Sequence, residues 1–281
     1  MLTGGRFQLR GTARWTWRKV RRAFRYSRDE IRRLPVVFGN AMPKSGSKLL
    51  FNILRGLEQV GPFVDTGLNE IKPFEEGLPT PQSWVNAQLD RLGAGDIRFG
   101  YLPWNPETET RLCREGWATY LILRDPRDTL VSAIYYAMDM HQGHALHSLL
   151  RSLPDMETRI DTMIRGIPDG PLRRVGVRQQ YERYLPWVDR PGVCLIRYEH
   201  LVQDPDRSVG DILGHLKARG FAAAATDEPA RRRLREQMAP ERSETFRKGG
   251  SGGWRQHFTE GNREHFREAA EDLLQILGYE A

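Results

Sequence analysis

The sequence holds only two cysteines, Cys113 and Cys194, among 281 residues. That excludes a disulfide framework, and no cysteine or histidine group has the spacing of a zinc site. With so few thiols, a cytoplasmic location in reducing surroundings is the expectation. No apolar run reaches the roughly 18 residues of a membrane-spanning helix, and no apolar stretch follows the N-terminal charges as in a secretory signal. Internal repeats and low-complexity tracts are missing too. So is the triphosphate-binding pattern G-x-x-x-x-G-K-[ST]. Counted from Gly39, its second glycine would fall at position 44, where Lys44 stands.

Acidic residues are scarce in one place only. Residues 1–34 carry eleven Arg/Lys against two Asp/Glu, a net of +9, whereas the remainder has 32 basic and 34 acidic side chains, a net of −2. The overall charge of +7 therefore belongs to the N-terminal segment. A nucleic-acid-binding fold would spread its cations over a binding face, so no nucleic acid is expected as partner. Residues 1–12 are expected to lack fixed structure. Residues 13–34 are expected to form one helix, with Trp17, Val20, Phe24 and Ile31 along a stripe and arginines over the rest. Such a helix can lie on an anionic membrane, here the inner face, or dock its aromatic stripe on the body. The domain reading is a basic extension over 1–34 and a body over 35–281.

The most informative stretch runs from Pro35 to Leu57. Val36-Val37-Phe38 reads as a buried parallel strand, and Leu49, Leu50, Ile53, Leu54 and Leu57 as the apolar face of a helix. Between them lies Pro43-Lys44-Ser45-Gly46-Ser47, a small-residue turn with a lysine inside it. A strand, a tight turn and a helix N-terminus make an anion site. The first helical N–H groups have no intrahelical acceptor, and the helix dipole adds positive charge. Gly46 allows close backbone approach, and Lys44 adds a mobile full charge.

Further strands are expected at 97–102, 117–123 and 193–198, with helices at 82–92, 107–115, 156–166, 172–188, 206–219, 227–239 and 262–277. Gly61 to Pro81 reads as a long loop of the kind that often carries function. The strand at 117–123 runs into Arg124-Asp125-Pro126-Arg127-Asp128, where Asp125 suits a helix cap and Pro126 the first helical position. Ser132 lies two turns on, so Arg124 and Ser132 can reach one anion at the carboxyl end of a strand. His141, His144 and His147 recur every third residue and would spread along one side of a helix. A metal is not expected there, because no fourth ligand is evident.

P-K-S-G-S between strand and helix resembles the 5′-phosphosulfate loop of sulfotransferases that use 3′-phosphoadenosine 5′-phosphosulfate (PAPS). LILRDPRDTLVSAIYYA resembles their 3′-phosphate motif. Tyr198-Glu199-His200-Leu201 followed by Asp204-Pro205 is similar to a segment whose tyrosine lies by the adenine, with His200 where Asp is usual. Arg247-Lys248-Gly249, Gly252, Trp254 and Phe258 match every fixed position of the family's C-terminal loop. These segments keep family order from about residue 36 to the end. The resemblance implies an α/β fold with a doubly wound parallel sheet flanked by helices, related to the nucleotide kinases. Alternating strands and helices indicate the same class independently. It also implies a PAPS-dependent sulfotransferase needing no metal. Lys44 would stabilise the leaving oxygen, and Ser45, Gly46, Ser47 and Lys48 would hold the phosphosulfate. Arg124, Ser132, Arg247, Lys248 and Gly249 would hold the 3′-phosphate, with Tyr198 near the adenine.

The chain departs from that family at the general base. Where many relatives carry histidine in a G-H-[LI]-P segment, it reads Gly100-Tyr101-Leu102-Pro103. A tyrosine with a pKa of about 10 is a poor base at neutral pH. Three accounts compete: another base such as Glu70, His144 or His147; an acceptor amine or phenol that needs little help; or an impaired enzyme. Lys48 and Leu49 likewise replace the Thr-Trp common in cytosolic animal members. The acceptor, a hydroxyl or amine on a small molecule, a glycan or a lipid-linked glycan, is not specified by these motifs. The rival reading is a nucleotide-binding or peripheral membrane protein that keeps the fold without catalysis.

Overall fold

The computed structural model describes residues 3–75, 78–221, 228–238 and 250–280. In chain order the helices α1 (Thr3–Ala23) and α2 (Arg28–Arg32) precede strand β1 (Val36–Ala41) and helix α3 (Ser47–Gly56). The short strands β2 (Val64–Asp65), β3 (Phe74–Glu75) and β4 (Leu78–Pro79) follow, then α4 (Gln82–Asp90), β5 (Asp96–Gly100), α5 (Pro106–Leu112) and β6 (Trp117–Leu123). Next come α6 (Pro126–Tyr135), α7 (His147–Ser152), α8 (Met156–Arg165), the strand pair β7 (Gly166–Ile167) and β8 (Arg174–Val175), and α9 (Val177–Glu182). The chain continues with β9 (Val193–Arg197), α10 (Tyr198–Gln203), α11 (Pro205–Ala218), α12 (Glu228–Glu236) and α13 (Glu260–Leu277). These elements form two compact units, Met1–Leu123 with Trp187–Pro240, and Arg124–Pro186 with Glu241–Ala281.

The first unit is built on a five-stranded sheet in the order β2-β5-β1-β6-β9. All of its pairings are parallel, with Val37 beside Ile97 and Gly39 beside Tyr120. Its strands are apolar on both faces because both are covered, as parallel sheets require. Val37, Ala41, Ile97, Phe99, Tyr120 and Ile122 pack with Leu50, Ile53 and Leu54 of α3 and with Val209, Ile212 and Leu216 of α11. Val36, Phe38, Leu121 and Leu123, which alternate with them, are buried as well. The sheet is thus the parallel one expected.

In the second unit α13 packs against α8 and α9, and α6 against α8. Val131, Ile134, Ile160, Met163, Phe266 and Leu273 supply its buried side chains. Asn262 at the start of α13 donates to Asp161 Oδ1 at 2.6 Å and to the Glu157 carbonyl at 3.1 Å.

Three expectations are corrected. Residues 3–12 are helical, because α1 begins at Thr3 and not at Ala13. The helix expected to run to Leu34 breaks after Ala23. Ser27 caps α2 with a reciprocal capping box to Glu30, which restarts the chain in a new direction. The helix expected over 172–188 is three pieces: β8, then α9, then a single 3-10 turn at Leu185–Trp187. There Gly176 holds an extended backbone and Pro186 lacks the N–H of a continuing ladder.

Of the two placements open for the Trp17, Val20 and Phe24 stripe, docking on the body is not the one observed. Trp15, only 5% exposed, donates from Nε1 to Asp96 Oδ1 at 3.2 Å, and Lys19 Nζ lies 2.7 Å from Asp96 Oδ2. Arg18 donates to the Asp65 carbonyl, and Arg22 to the carbonyls of Pro62 and Ala94. The docked face is therefore an indole flanked by cations, drawn to a buried carboxylate and to carbonyls at strand ends.

His215 on α11 meets the Tyr120 ring edge-on, with centroids 5.2 Å apart. Burial, and after it the Arg219 charge, push this imidazole from its usual 6.5 down to about 4. Below pH 6.5 the unfolded chain takes up a proton that the folded chain refuses, so stability falls as pH drops from 6.5 towards 4. Replacing His215→Gln should flatten that part of the stability–pH curve, measured by urea denaturation at each pH.

Candidate functional site

Leaving β1, the chain turns into α3 within five residues. Two of them, Lys44 (φ 68°) and Gly46 (φ 94°), take the left-handed backbone. For a lysine this conformation costs about 1 kcal/mol, a strain found most often where a site requires it. Ser45 is fully buried. Its N–H donates to the Met42 carbonyl at 3.2 Å, and its hydroxyl donates to the same carbonyl at 2.5 Å with that of Ile122 at 3.0 Å. Both of its donors thus serve the loop's own backbone and tie the turn to β6. No side chain caps α3, whose N-cap is Gly46, so its first-turn amides and dipole are directed at the turn.

Three side chains meet this turn within the first unit. Tyr198 packs on Gly46 so closely that a Cβ there would lie 2.3 Å from its Cδ2. The Tyr101 hydroxyl is 3.0 Å from Ser47 Oγ. Glu70 Oε1 pairs with Lys48 Nζ at 3.2 Å. Both Tyr101 and Glu70 are fixed by backbone. Ile71, next to Glu70, bridges to Gly100 at the end of β5, and Tyr101 N–H donates to the Ile71 carbonyl at 2.8 Å. Asn40 clamps the following residue from both sides. It donates to the Leu102 carbonyl at 2.9 Å and accepts the Leu102 N–H at 2.8 Å. Trp187 Nε1 donates to that same carbonyl. Burial pushes the Glu70 carboxyl up, but a backbone hydrogen bond and the charges of Lys48 and Lys72 outweigh it and leave its pKa below the ordinary value. Glu70 is thus an ionised proton acceptor at neutral pH.

In the second unit Asp125 caps α6, accepting the Arg127 N–H at 2.8 Å, as its place before Pro126 indicated. The Arg127 guanidinium pairs with the same carboxylate at 2.9 Å and lies 3.9 Å over the Trp254 ring. Asp128 accepts the N–H groups of Gly252 at 2.7 Å and Trp254 at 2.8 Å. Arg124 donates to the Gly250 carbonyl at 3.0 Å, with Asp128 3.8 Å away. Tyr181 donates to the Arg124 carbonyl at 2.8 Å. Ser132 stands half-buried on α6. Arg247, Lys248 and Gly249 lie outside the described residues.

The histidines expected on one helix face are not on one helix. His141 and His144 precede α7 and only His147 belongs to it, because a π-helical turn at Tyr136–Met140 ends the run of α6. His141 stacks on Tyr136 at 5.6 Å between centroids, and His144 meets both rings edge-on. His144 Nδ1 accepts the Leu146 N–H at 3.2 Å, whereas His147 Nδ1 faces the Ala137 carbonyl at 2.9 Å and must donate to it. Neither belongs to the unit that holds the Lys44 turn. Of the base candidates, Tyr101 and Glu70 stand at that turn.

Sequence reading passed over Asn40 in the first unit and Asp128 and Tyr181 in the second, each of which fixes backbone within its own unit. Asn40 had a visible signal, a lone amide in an otherwise apolar strand. Asp128 and Tyr181 had none, because their partners lie 124 and 57 residues away. Among the described residues no group of histidine, cysteine or acidic side chains could hold a metal ion.

A family model for the sulfotransferase domain matches residues 119–278, more than half of the chain. No curated protein sequence matches significantly. Among solved structures, mouse sulfotransferase SULT7A1 complexed with PAP is similar with a TM-score of 0.62 and 17% identity over 86% of this chain and 84% of that one. Retinol dehydratase in complex with androsterone and the inactive cofactor PAP gives 0.56 and 17% over 88% and 83%. At this identity the two likenesses bear on the fold.

Replacing Gly46→Ala should cost about 1–3 kcal/mol in urea denaturation, from left-handed strain and overlap with Tyr198. In a double-mutant cycle Tyr198→Ala should relieve the overlap but not the strain, so the two changes should be non-additive.

Proposed function

The chain belongs to the sulfotransferase family, and on that footing we propose that it moves a sulfuryl group from PAPS to a hydroxyl or amine of an acceptor. The observation that carries this reading is the Lys44–Gly46 turn: two left-handed residues on an uncapped helix N-terminus, with a lysine among them. A site of that build suits a phosphate or sulfate group. The first-turn amides of α3, which no side chain caps, and the Lys44 charge are the donor set that the 5′ end of such a molecule calls for.

PAPS, when bound, supplies the sulfuryl group and departs as the bisphosphate. The amides at the start of α3 and the hydroxyl of Ser47 hold negative oxygens. Lys44 brings a full positive charge to the same turn, where charge builds on the leaving oxygen in a displacement of this kind. Fixed cations of this sort do electrostatically what a metal does elsewhere. By the resemblance, Arg124 and Ser132 would hold the 3′-phosphate together with Arg247, Lys248 and Gly249, and Tyr198 would serve the adenine. Ser45 takes the role of a staple, since its donors are bonded within the loop.

Glu70 is the general base of this reading. It is a carboxylate held on the turn by Lys48 and ionised at neutral pH, and its lowered pKa makes it a mild base, suited to an acceptor whose own proton is readily lost. Tyr101, hydrogen-bonded to Ser47, positions that serine and occupies the place of the usual histidine without its function. An available base favours an active enzyme over an inactive relative.

Two measurements test the reading. Calorimetry should show 3′,5′-adenosine bisphosphate binding to the wild type and about ten- to a hundredfold weaker binding to Arg124→Ala, the loss of a charge-assisted contact. No binding to a folded wild type would remove the donor site. With labelled PAPS and a panel of phenols, alcohols and amines, Glu70→Gln should lower kcat by about 10²–10⁴-fold. Its bisphosphate affinity should stay near that of the wild type. Full turnover by Glu70→Gln would move the base elsewhere.

A further inference from the structure

α1 meets its unit with one face only. Trp15, Arg18, Lys19 and Arg22 recur at helical spacing, and each is bonded to Asp96 or to backbone carbonyls of the unit. Half a turn around the helix stand Trp17, Val20 and Phe24, which are 60, 50 and 86% exposed. Phe24 follows the last assigned helical residue, but its N–H still bonds to the Val20 carbonyl at 3.3 Å, so it keeps helical register. Because the docked face fixes the rotation of the helix, this apolar stripe points away from the body by construction. Along one flank run Arg14, Arg21 and Arg25, all exposed, and α2 adds exposed Arg28 and Arg32.

We propose that the outer face of α1 is a docking surface for an anionic lipid membrane. Arginines would meet the lipid phosphates, and Trp17, Val20 and Phe24 would enter the boundary between headgroups and acyl chains. Charge complementarity alone would also admit RNA. Only a lipid surface places hydrocarbon directly beneath its anionic layer, so only there do Val20 and Phe24 leave water while the guanidinium groups keep their partners. The helix is already formed and held, so binding needs little further ordering of the chain. The apolar residues are also the ones that a helix packed only on its own protein would have turned inward.

The test is co-sedimentation of the full chain with vesicles of phosphatidylcholine alone and with roughly one third phosphatidylglycerol, at low and high salt. The wild type should bind the anionic vesicles, lose affinity as salt rises, and bind the neutral ones far more weakly. Arg21→Gln and Arg25→Gln should each lower the partition coefficient about fivefold. Trp17→Ser with Phe24→Ser should lower it at least tenfold, since two large apolar side chains no longer insert. None of these residues touches the docked face, so stability and bisphosphate affinity should match the wild type in every variant. Three results would overturn the proposal. One is wild type that ignores anionic vesicles. Another is an RNA oligonucleotide that binds more tightly than the vesicles and is lost in the arginine variants alone. The last is self-association by light scattering that Phe24→Ser abolishes, which would make a second copy of the chain the occupant of this face.

Discussion

Everything distinctive about the first unit depends on one backbone constraint: the chain must leave β1 and enter α3 through two left-handed residues separated by a single serine. A helix can present uncapped amides only where no side chain caps it and something else fixes its entry angle. Ser45 does that fixing from beneath, by bonding to Met42 and Ile122. Tyr198 does it from the side, by filling the space a Cβ on Gly46 would take. The strain at Lys44 is held by these contacts on both sides. Such strain persists only where its surroundings over-determine it, and here the surrounding contacts can be named.

The same turn explains why two polar residues from distant parts of the unit stand beside it. Lys48 and Ser47 open α3, where the dipole is positive, and each is met by a partner carrying oxygen: Glu70 for Lys48 and Tyr101 for Ser47. The two partners are joined through backbone, since Ile71 bridges to Gly100 and accepts the Tyr101 N–H. A long loop and a strand end are thereby locked in register. A base must be ionised to act. A backbone hydrogen bond, and after it the Lys48 and Lys72 charges, keep Glu70 so despite its burial, whereas a tyrosine in the same region starts from a pKa of about 10.

How much of this was legible in the sequence follows from the range of the interactions. The Pro35–Leu57 stretch announced itself because strand, turn and helix are local, and the Asp125 cap before Pro126 was legible for the same reason. The parallel sheet followed from apolar runs alternating with amphipathic helices. What failed was whatever a distant partner decides. Periodicity put Trp17, Val20 and Phe24 on one stripe and left open whether it meets a membrane or the body; it could not show that a buried carboxylate at Asp96 selects Trp15 and Lys19 for the docked face. An apolar stripe is a good guide to a docked face only when the opposing surface is apolar. Over Leu172–Val188 the helical pattern was overridden by the pairing of β8 with β7. The resemblance gave Ser45 to the phosphosulfate, and the sequence carried no sign of the contacts its hydroxyl makes within the protein. Its buried hydroxyl bonds to the Met42 carbonyl and to that of Ile122 on β6, 77 residues away.

The second unit poses a charge problem whose resolution bears on its role. Arg124 and Arg127 are matched one for one by Asp125 and Asp128, so the motif carries no net charge with which to attract an anion. The structure separates the four by task. Asp125 is occupied by the cap and by Arg127, and Arg127 lies over Trp254. Asp128 is occupied by two backbone N–H groups, that of Gly252 near the end of the glycine-rich run and that of Trp254 just after it. Those bonds stabilise the carboxylate's charge without a cation, leaving Arg124 at 3.8 Å as a loose partner and not a bidentate one. Asp128 therefore does two things at once. It ties the end of the glycine-rich run and Trp254 to the start of α6, and it holds the Arg124 guanidinium by an ion pair too long to be a strong hydrogen bond. The Arg124 guanidinium also donates to the Gly250 carbonyl at 3.0 Å, so the same arginine and carboxylate together fasten Gly250, Gly252 and Trp254 to the start of α6.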